Sequence, residues 1–496
     1  MSMLPAGATS RAQRALALLL LIEFAALVAV PVYLIPLHVS FNYNEGWNAY
    51  LADIAIHGGL LYPPPDAMFT NNYPPLSFYI VGAVGRLIGD NVVAGRLTAL
   101  LSALVTAGNV FLLGRWLGAA RPLAAIGAGA FLLGTYAVKP SYFFIDDPQF
   151  LSHALVSSGA VVFLTGSGRF GRMLLAAALI AAAGLVKHNV ISLPLALCTW
   201  ALVWDRRRLG RFLAAAVVVG AVALALVYAA WGQALVDSVL HHARLASLDR
   251  SIGMAAPLLP YLLPYLLATL TAAMLLWRRP QGLLVAAYLL WSAPVAFWMM
   301  SGSGVNYNVA FDLITAVALG AVALLVALEP MLARLPAAPA LGSAAALLLV
   351  LPFAAYGVLA YRTNPYLVRA GTINHSQELV ALNTELSKVQ GDVACETLAI
   401  CYWAGKPMEI DFFNYGQKIA LERLSSNVFS ERVDRRQYAY ILIEKNSLAE
   451  PRLPVGTMAD LLAHYQPVRL IGGYEVLLAP AAAEATPGTA AGPALR

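Results

Sequence analysis

Charge is scarce in this sequence. Asp, Glu, Lys and Arg together make up 12% of its 496 residues, against about 25% in an ordinary soluble domain. With 60% hydrophobic residues and a mean hydropathy of +0.70, that scarcity excludes a soluble globular chain and leaves a polytopic membrane protein. Cysteine is scarcer still, at three residues. Cys198 falls in an apolar span. Cys395 and Cys401 lie close enough in the chain to bridge in an oxidising compartment, or to remain two buried thiols. Neither has neighbours with the spacing of a zinc site. No internal repeat is visible, which counts against the repeat architectures of many transporters. A cleavable signal peptide of the usual kind is also lacking. Residues 15–35, preceded by Arg11 and Arg14, read as a retained signal anchor with a cytoplasmic N-terminus. The formal charge of +6 implies no nucleic-acid partner, because the arginines sit between apolar spans.

The apolar runs predict an all-α polytopic protein with roughly eleven transmembrane helices. They cover 15–35, 94–114, 122–139, 148–166, 173–187, 189–204, 212–231, 257–277, 282–300, 309–328 and 341–361. The fifth and sixth are short and break near Lys187-His188-Asn189. Arg115, Arg121, Arg169, Arg172, Arg206–Arg208, Arg211, Arg278, Arg279 and Arg334 fall in alternate connections, which places those connections in the cytoplasm. Most acids, including Glu45, Asp53, Asp66, Asp90, Asp146, Asp147, Asp237 and Asp249, fall on the other side.

The sequence divides into a transmembrane part at 1–361, a small outer α/β domain at 362–480 and an Ala/Gly/Pro/Thr tail at 481–496 that reads as disordered. The first outer loop, about 36–93, is long. Asp53–Gly59 looks like a helix end closed by glycine, and 75–89 looks like an interfacial amphipathic helix. In the outer domain, Asp392–Ala394, Tyr438–Glu444 and Tyr474–Leu478 read as strands and Ser376–Val389 as a helix.

Four groups of residues could carry chemistry. The first outer loop reads Asn42-Tyr43-Asn44-Glu45-Gly46-Trp47-Asn48-Ala49-Tyr50 and continues to Asn71-Asn72-Tyr73-Pro74-Pro75-Leu76. Glu45, close to hydrocarbon, could act as a base, or be a helix-start carboxylate behind an Asn44 N-cap. Tyr43, Trp47, Tyr50 and Tyr73 could stack on sugar rings or form an interfacial belt. Asp146-Asp147-Pro148 opens the fourth span, where one acid can cap the helix while the other assists Glu45, orients a hydroxyl or binds a divalent metal. Arg96, Lys139, Lys187, His188, His241, His242 and Arg244 could meet a phosphate; snorkelling to headgroups is the alternative for Arg96 and Lys139. Gly302–Asn308, with Asn306, Tyr307 and then Asp312, could line a polar cavity or be a glycine turn.

The order of Asn44-Glu45, Pro74-Pro75-Leu76, Arg96 and Asp146-Asp147 within a many-span chain resembles the GT-C glycosyltransferases, in particular the protein mannosyltransferase and aminoarabinose transferase group (family 39-type). The resemblance covers residue 15 to about 330. Where that family has Asp-Glu, this chain has Asn44-Glu45, which moves the acid role to Glu45; where the aminoarabinose branch has Glu-Lys before the double proline, it has Asn72-Tyr73. The resemblance implies sugar transfer from a polyprenyl-phosphate donor to a lipid, glycan or protein acceptor on the outer face of a bacterial inner membrane. In that scheme Glu45, with Asp146 or Asp147, takes the acceptor proton, and Lys187, His188 and Arg244 meet the phosphate. No cofactor is certain. Two other classes stay open: a transporter or flippase of a lipid-linked substrate, and a cell-envelope assembly protein acting through Trp403, Glu409, Asp411 and Tyr415 of its outer domain.

Overall fold

A computed structural model describes residues 11–242, 244–335, 338–363, 372–449 and 451–479. The tail expected to be disordered lies outside them. In chain order the helices of the apolar part are α1 (Arg11–Leu34), α2 (Asn44–His57), α3 (Leu76–Ile88), α4 (Asn91–Trp116), α5 (Arg121–Val138), α6 (Gln149–Thr165), α7 (Phe170–Val186), α8 (Ser192–Trp204), α9 (Arg206–Leu235), α10 (Leu248–Leu275), α11 (Pro280–Met299), α12 (Phe311–Leu332) and α13 (Ala338–Thr363). Among the described residues, α1, α4, α5 and α9–α13 are long and apolar enough to cross a membrane. The helices α3, α6, α7 and α8 are apolar but shorter. Each expected span coincides with a helix, and three of those helices fall below full spanning length. The chain is a multi-pass membrane protein.

The residues fold into two compact units. The first holds α1 and α3–α13. Its centre is α12, whose apolar stretch is 89% buried and packs against α4, α5, α10, α11 and α13. Its edge is α9, which exposes Val217, Val218, Leu224 and Leu226, as a lipid-facing helix must. Local chemistry sets the helix ends. Asp90 caps α4 by accepting from the Val92 and Val93 amides at 2.7 and 3.1 Å. Ser247 caps α10 from the Arg250 amide at 3.2 Å. Arginines lie in the connections α6–α7, α10–α11 and α12–α13 and in the helix turns that flank the connections α4–α5 and α8–α9. The alternate connections α5–α6, α7–α8 and α11–α12 carry Asp146-Asp147, Lys187-His188-Asn189 and Asn306–Asn308.

The second unit joins Leu37–Asn72, including α2, to Val236–Leu245 and the C-terminal segment. Its sheet has four strands, β1 (Asp392–Cys395), β2 (Tyr438–Glu444), β3 (Gln466–Ile471) and β4 (Tyr474–Leu478), in the order β1-β2-β4-β3. The β1–β2 pair is parallel; the other two pairs are antiparallel. Three strands and the helix Thr372–Lys388 lie where the pattern predicts them. The third strand escapes prediction because it exposes most of its side chains, so it lacks the apolar alternation of a half-buried strand. The core of this unit takes Phe412, Tyr415, Phe429, Tyr438, Ile441, Tyr465 and Leu477 from the C-terminal segment and Met68 from the first loop. The helix end expected near Gly58 is present, with φ of 86° at that glycine. At the start of α2 the side chain of Asn42, not Asn44, accepts from a backbone amide, that of Asn44, at 2.9 Å.

Candidate active site

In the first unit the ends of α5, α6, α7 and α12 bring together a buried polar cluster. Lys187 follows the last residue of α7, and its Nζ is 2.9 Å from Oδ1 of Asp147. The same Asp147 oxygen accepts from the Gln149 amide at 2.8 Å and so starts α6. One acid therefore both accepts the first amide of a helix and pairs with a cation, because that amide points at the carboxylate that Lys187 also approaches. Lys187 Nζ also lies 4.9 Å from the centre of the Tyr73 ring and 3.2 Å from the Asn308 amide. The Gln149 side-chain amide lies 2.9 Å from that of Asn308 and 3.2 Å from that of Asn189. Lys187 and Asp147 are both buried, so the pair is held in low dielectric, where an anionic ligand would compete strongly for the ammonium.

Asp146 is buried beside this cluster and packs on α4. A Cβ added to Gly95 would lie 2.0 Å from the Asp146 carboxyl carbon, so only glycine admits that carboxylate. Gly95→Ala is expected to displace Asp146 with every charge retained. Thermal unfolding of that variant should show a loss of about 1–3 kcal/mol, the usual cost of overpacking a buried site. Arg96, fully buried on α4, donates to the Ile35 carbonyl at 2.8 Å. Lys139 follows α5 and is half-buried, and His188 is exposed. Asn306 caps the turn at Tyr307 with its own side chain, at 2.8 Å; both residues are half-buried.

The second unit holds the first-loop residues. Glu45 is fully buried, and its carboxylate accepts from the Phe41 amide at 2.7 Å and the Asn42 amide at 3.4 Å. Tyr43 donates to Asp411 at 2.6 Å and lies under the Arg452 guanidinium, 4.0 Å from its ring centre. Burial, with Asp411 adjacent, pushes the Tyr43 hydroxyl far above its ordinary range. Trp47 donates to the Thr70 carbonyl at 2.9 Å and Tyr50 to the Lys406 carbonyl at 2.5 Å. Asn72 is buried; His242 and Arg244 are half-buried in the Val236–Leu245 segment. Within this unit the aromatics of the first loop are packing and hydrogen-bonding groups.

The C-terminal segment is similarly occupied. Trp403 stacks on His38 at 4.8 Å, Glu409 pairs with Arg432 at 2.9 Å, Asp411 caps the helix Phe412–Ala420 and Tyr415 lies in the core. Cys395 and Cys401 are disulfide-bonded. Cys198 is a free, half-buried thiol. A group able to hold a cation, Asp434, Asp460 and His464, lies in this unit.

Reasoning from the sequence missed Gln149, His153, Asn189, Tyr288 and Asn308. The available signal was polarity inside apolar spans, where such residues are rare and tend to face one another. Gln149 and His153 also stand four apart on α6, hence on one face.

A family model described as a 6-pyruvoyl-tetrahydropterin synthase related domain, membrane protein, matches residues 70–234. No curated protein matches the sequence significantly. Solved structures do match the fold. ArnT from Cupriavidus metallidurans bound to undecaprenyl phosphate superposes with a TM-score of 0.58 at 15% identity, over 93% of this chain and 97% of that one. Its apo form gives 0.59 at 16% identity, over 92% and 97%. The Archaeoglobus fulgidus oligosaccharyltransferase in the apo form gives 0.54 at 11% identity, over 90% and 72%. These neighbours are GT-C glycosyltransferases, and this chain has the GT-C fold.

Proposed function

We propose that this protein is a membrane glycosyltransferase that moves a sugar from a polyprenyl-phosphate donor to a lipid, glycan or protein acceptor at the outer face of a bacterial inner membrane, with its C-terminal domain in the periplasm. The observation that carries the reading is the buried Lys187–Asp147 pair, ringed by Tyr73, Gln149 and Asn308, at the helix ends of a GT-C fold. A structural neighbour was solved with undecaprenyl phosphate bound, and a buried ammonium suits that phosphate chemically. As the bond from the anomeric carbon to the donor phosphate oxygen breaks, negative charge grows on the phosphate, and Lys187 stabilises it. The acceptor hydroxyl attacks the anomeric carbon and gives its proton to a carboxylate.

Asp146 is assigned that proton, as the carboxylate buried next in the chain to the Lys187–Asp147 pair. Glu45 is the other candidate, and in the second unit it accepts from two backbone amides of its own loop. The test is transfer by purified full-length protein from a panel of polyprenyl-phosphate sugars, with Asp146→Asn and Glu45→Gln beside the wild type. Wild-type transfer is expected. Asp146→Asn should lose about 100-fold or more, the usual share of a general base. A folded Glu45→Gln protein that loses as much would move the base to the first loop. No transfer or donor hydrolysis by the wild type with any donor would sink the glycosyltransferase reading.

A further inference from the structure

At the ends of α6, α7 and α8 away from Lys187, two separate stretches of chain are drawn together. Arg208, in the first turn of α9, donates to the Phe163, Leu164 and Gly166 carbonyls at 3.2, 3.2 and 3.3 Å. Its guanidinium lies 5.6 Å from the centre of the Trp200 ring on α8. Arg211, about one turn further along α9, donates to the Gly168 carbonyl at 2.8 Å. These bonds satisfy carbonyls at the end of α6 and hold the α6–α7 connection against the start of α9. Arg172 flanks the same connection: a Cβ added to Gly166 would lie 3.4 Å from the Arg172 Cβ.

The junction carries far more positive charge than it neutralises. Arg169, Arg172, Arg206, Arg207 and Arg211 are all exposed there. Asp205, the acid of this stretch, is already engaged: one oxygen is 3.2 Å from Arg208 Nε and the other accepts from the Arg208 amide at 3.0 Å. Among the described residues no carboxylate pairs with the five exposed arginines. Setting the topology requires only that arginines occupy the right connections. It does not require two connections to converge on one spot.

Helix length places that spot at the level of lipid phosphates. The helices α6 and α7 have 17 residues each and α8 has 13. At 1.5 Å per residue these are about 26 and 20 Å long, against a hydrocarbon core of about 30 Å. Three neighbouring short helices draw their ends toward the hydrocarbon, and arginines at those ends meet headgroups. The wall beneath is apolar and open: Phe170 and Leu174 on α7, Trp204 at the end of α8 and Leu213 on α9 are exposed. A ligand that fits offers phosphate oxygens to the guanidinium forks and acyl chains to the wall.

We propose that Arg169, Arg172, Arg206, Arg207 and Arg211 form a binding site for the headgroup phosphate of an anionic phospholipid, whose chains lie on the exposed apolar wall of α7–α9. The site is independent of the chemistry at Lys187.

The test is native mass spectrometry of the purified, delipidated full-length protein with cardiolipin. Arg169→Gln/Arg172→Gln/Arg207→Gln should bind cardiolipin about 100-fold more weakly than the wild type, at roughly fivefold per arginine. A charge-matched control, Arg278→Gln/Arg279→Gln/Arg334→Gln, removes three exposed arginines from the α10–α11 and α12–α13 connections. It should stay within about twofold of the wild type. Phosphatidylethanolamine, which has a phosphate but no net charge, should bind weakly to all three proteins. Equal losses in the two triple variants would reduce the effect to net charge and overturn the site. Competition by sn-glycerol 3-phosphate would put a soluble anion in place of the lipid and overturn it as well. If the first triple variant fails to insert, the wild type decides. Hydrogen exchange in phosphatidylethanolamine nanodiscs should slow at residues 166–169 when cardiolipin is added, and unchanged exchange there sinks the proposal.

Discussion

Transfer by a Lys187→Met variant is expected to fall by about two to three orders of magnitude, the usual cost of removing one preorganised group from a charge that develops in the transition state. The substitution has a second effect that has to be separated from the first. It leaves Asp147 buried without its cation, which costs about 3–5 kcal/mol of stability. Asp147 also starts α6 through the Gln149 amide, so the helix end is strained as well. The double variant Lys187→Met/Asp147→Asn removes both charges and keeps an acceptor oxygen for that amide. It should regain most of the lost thermal stability without regaining transfer. Lys187→Arg keeps the charge and should retain part of the activity. The measurement is transfer rate together with thermal unfolding on each variant. Recovery of transfer in the neutral double variant would show that Lys187 serves the fold and not the reaction.

Gly46→Val is expected to disrupt the second unit. A Cβ on Gly46 would lie 1.9 Å from the Ala399 backbone nitrogen and 2.3 Å from the Leu398 carbonyl carbon. Backbone cannot yield as a flexible side chain can, so α2 and the helix Leu398–Trp403 must separate. That separation opens the environment of Glu45, Trp47 and Tyr50, each of which is buried in this unit. The expected loss is above about 4 kcal/mol, the range reached when overpacking breaks buried hydrogen bonds as well. Limited proteolysis of the C-terminal segment and thermal unfolding read it directly. Gly456→Ala is the control, since nothing lies within 4 Å of the added carbon and the residue sits in the helix Val455–His464. It should be neutral or slightly stabilising. Equal stability of Gly46→Val and wild type would remove the close approach from the account. The same packing bears on the rival reading in which the outer domain alone is the working part. Truncation after α13 strips α2 of its partners, so loss of function on truncation cannot separate that rival from a glycosyltransferase. Point substitutions such as Asp146→Asn can.

The positions of the apolar helices were legible because hydrophobicity sustained over one bilayer thickness needs no tertiary information. The alternation of arginine-rich and arginine-poor helix connections was equally legible, since it is set by local charge. Asp146-Asp147 and Lys187 were identifiable for the same reason: ionisable groups at the ends of apolar runs are conspicuous against their surroundings. The strands Tyr438–Glu444 and Tyr474–Leu478 were visible in their side-chain patterns, whereas Gln466–Ile471, mostly exposed, carried no pattern to see.

Partnerships were another matter. Nothing in the local sequence states that Asp147 would take Lys187, forty residues away, as its partner, or that Tyr43 would donate its hydroxyl to Asp411, 368 residues on. Glu45 looked like a base because it is an acid next to hydrocarbon. The fold surrounds it with amides of its own loop, which a linear reading cannot supply. His153 and Asp312 looked like isolated polar residues until α6 and α12 brought them to 3.7 Å. The sequence by itself determined a many-helix membrane protein, its charge alternation and the residue types available for chemistry, because those depend on transfer of short segments between water and hydrocarbon. Tertiary structure alone decided which charges meet and which carboxylates are already occupied, because pairing in low dielectric depends on distances of a few ångströms between residues far apart in the chain.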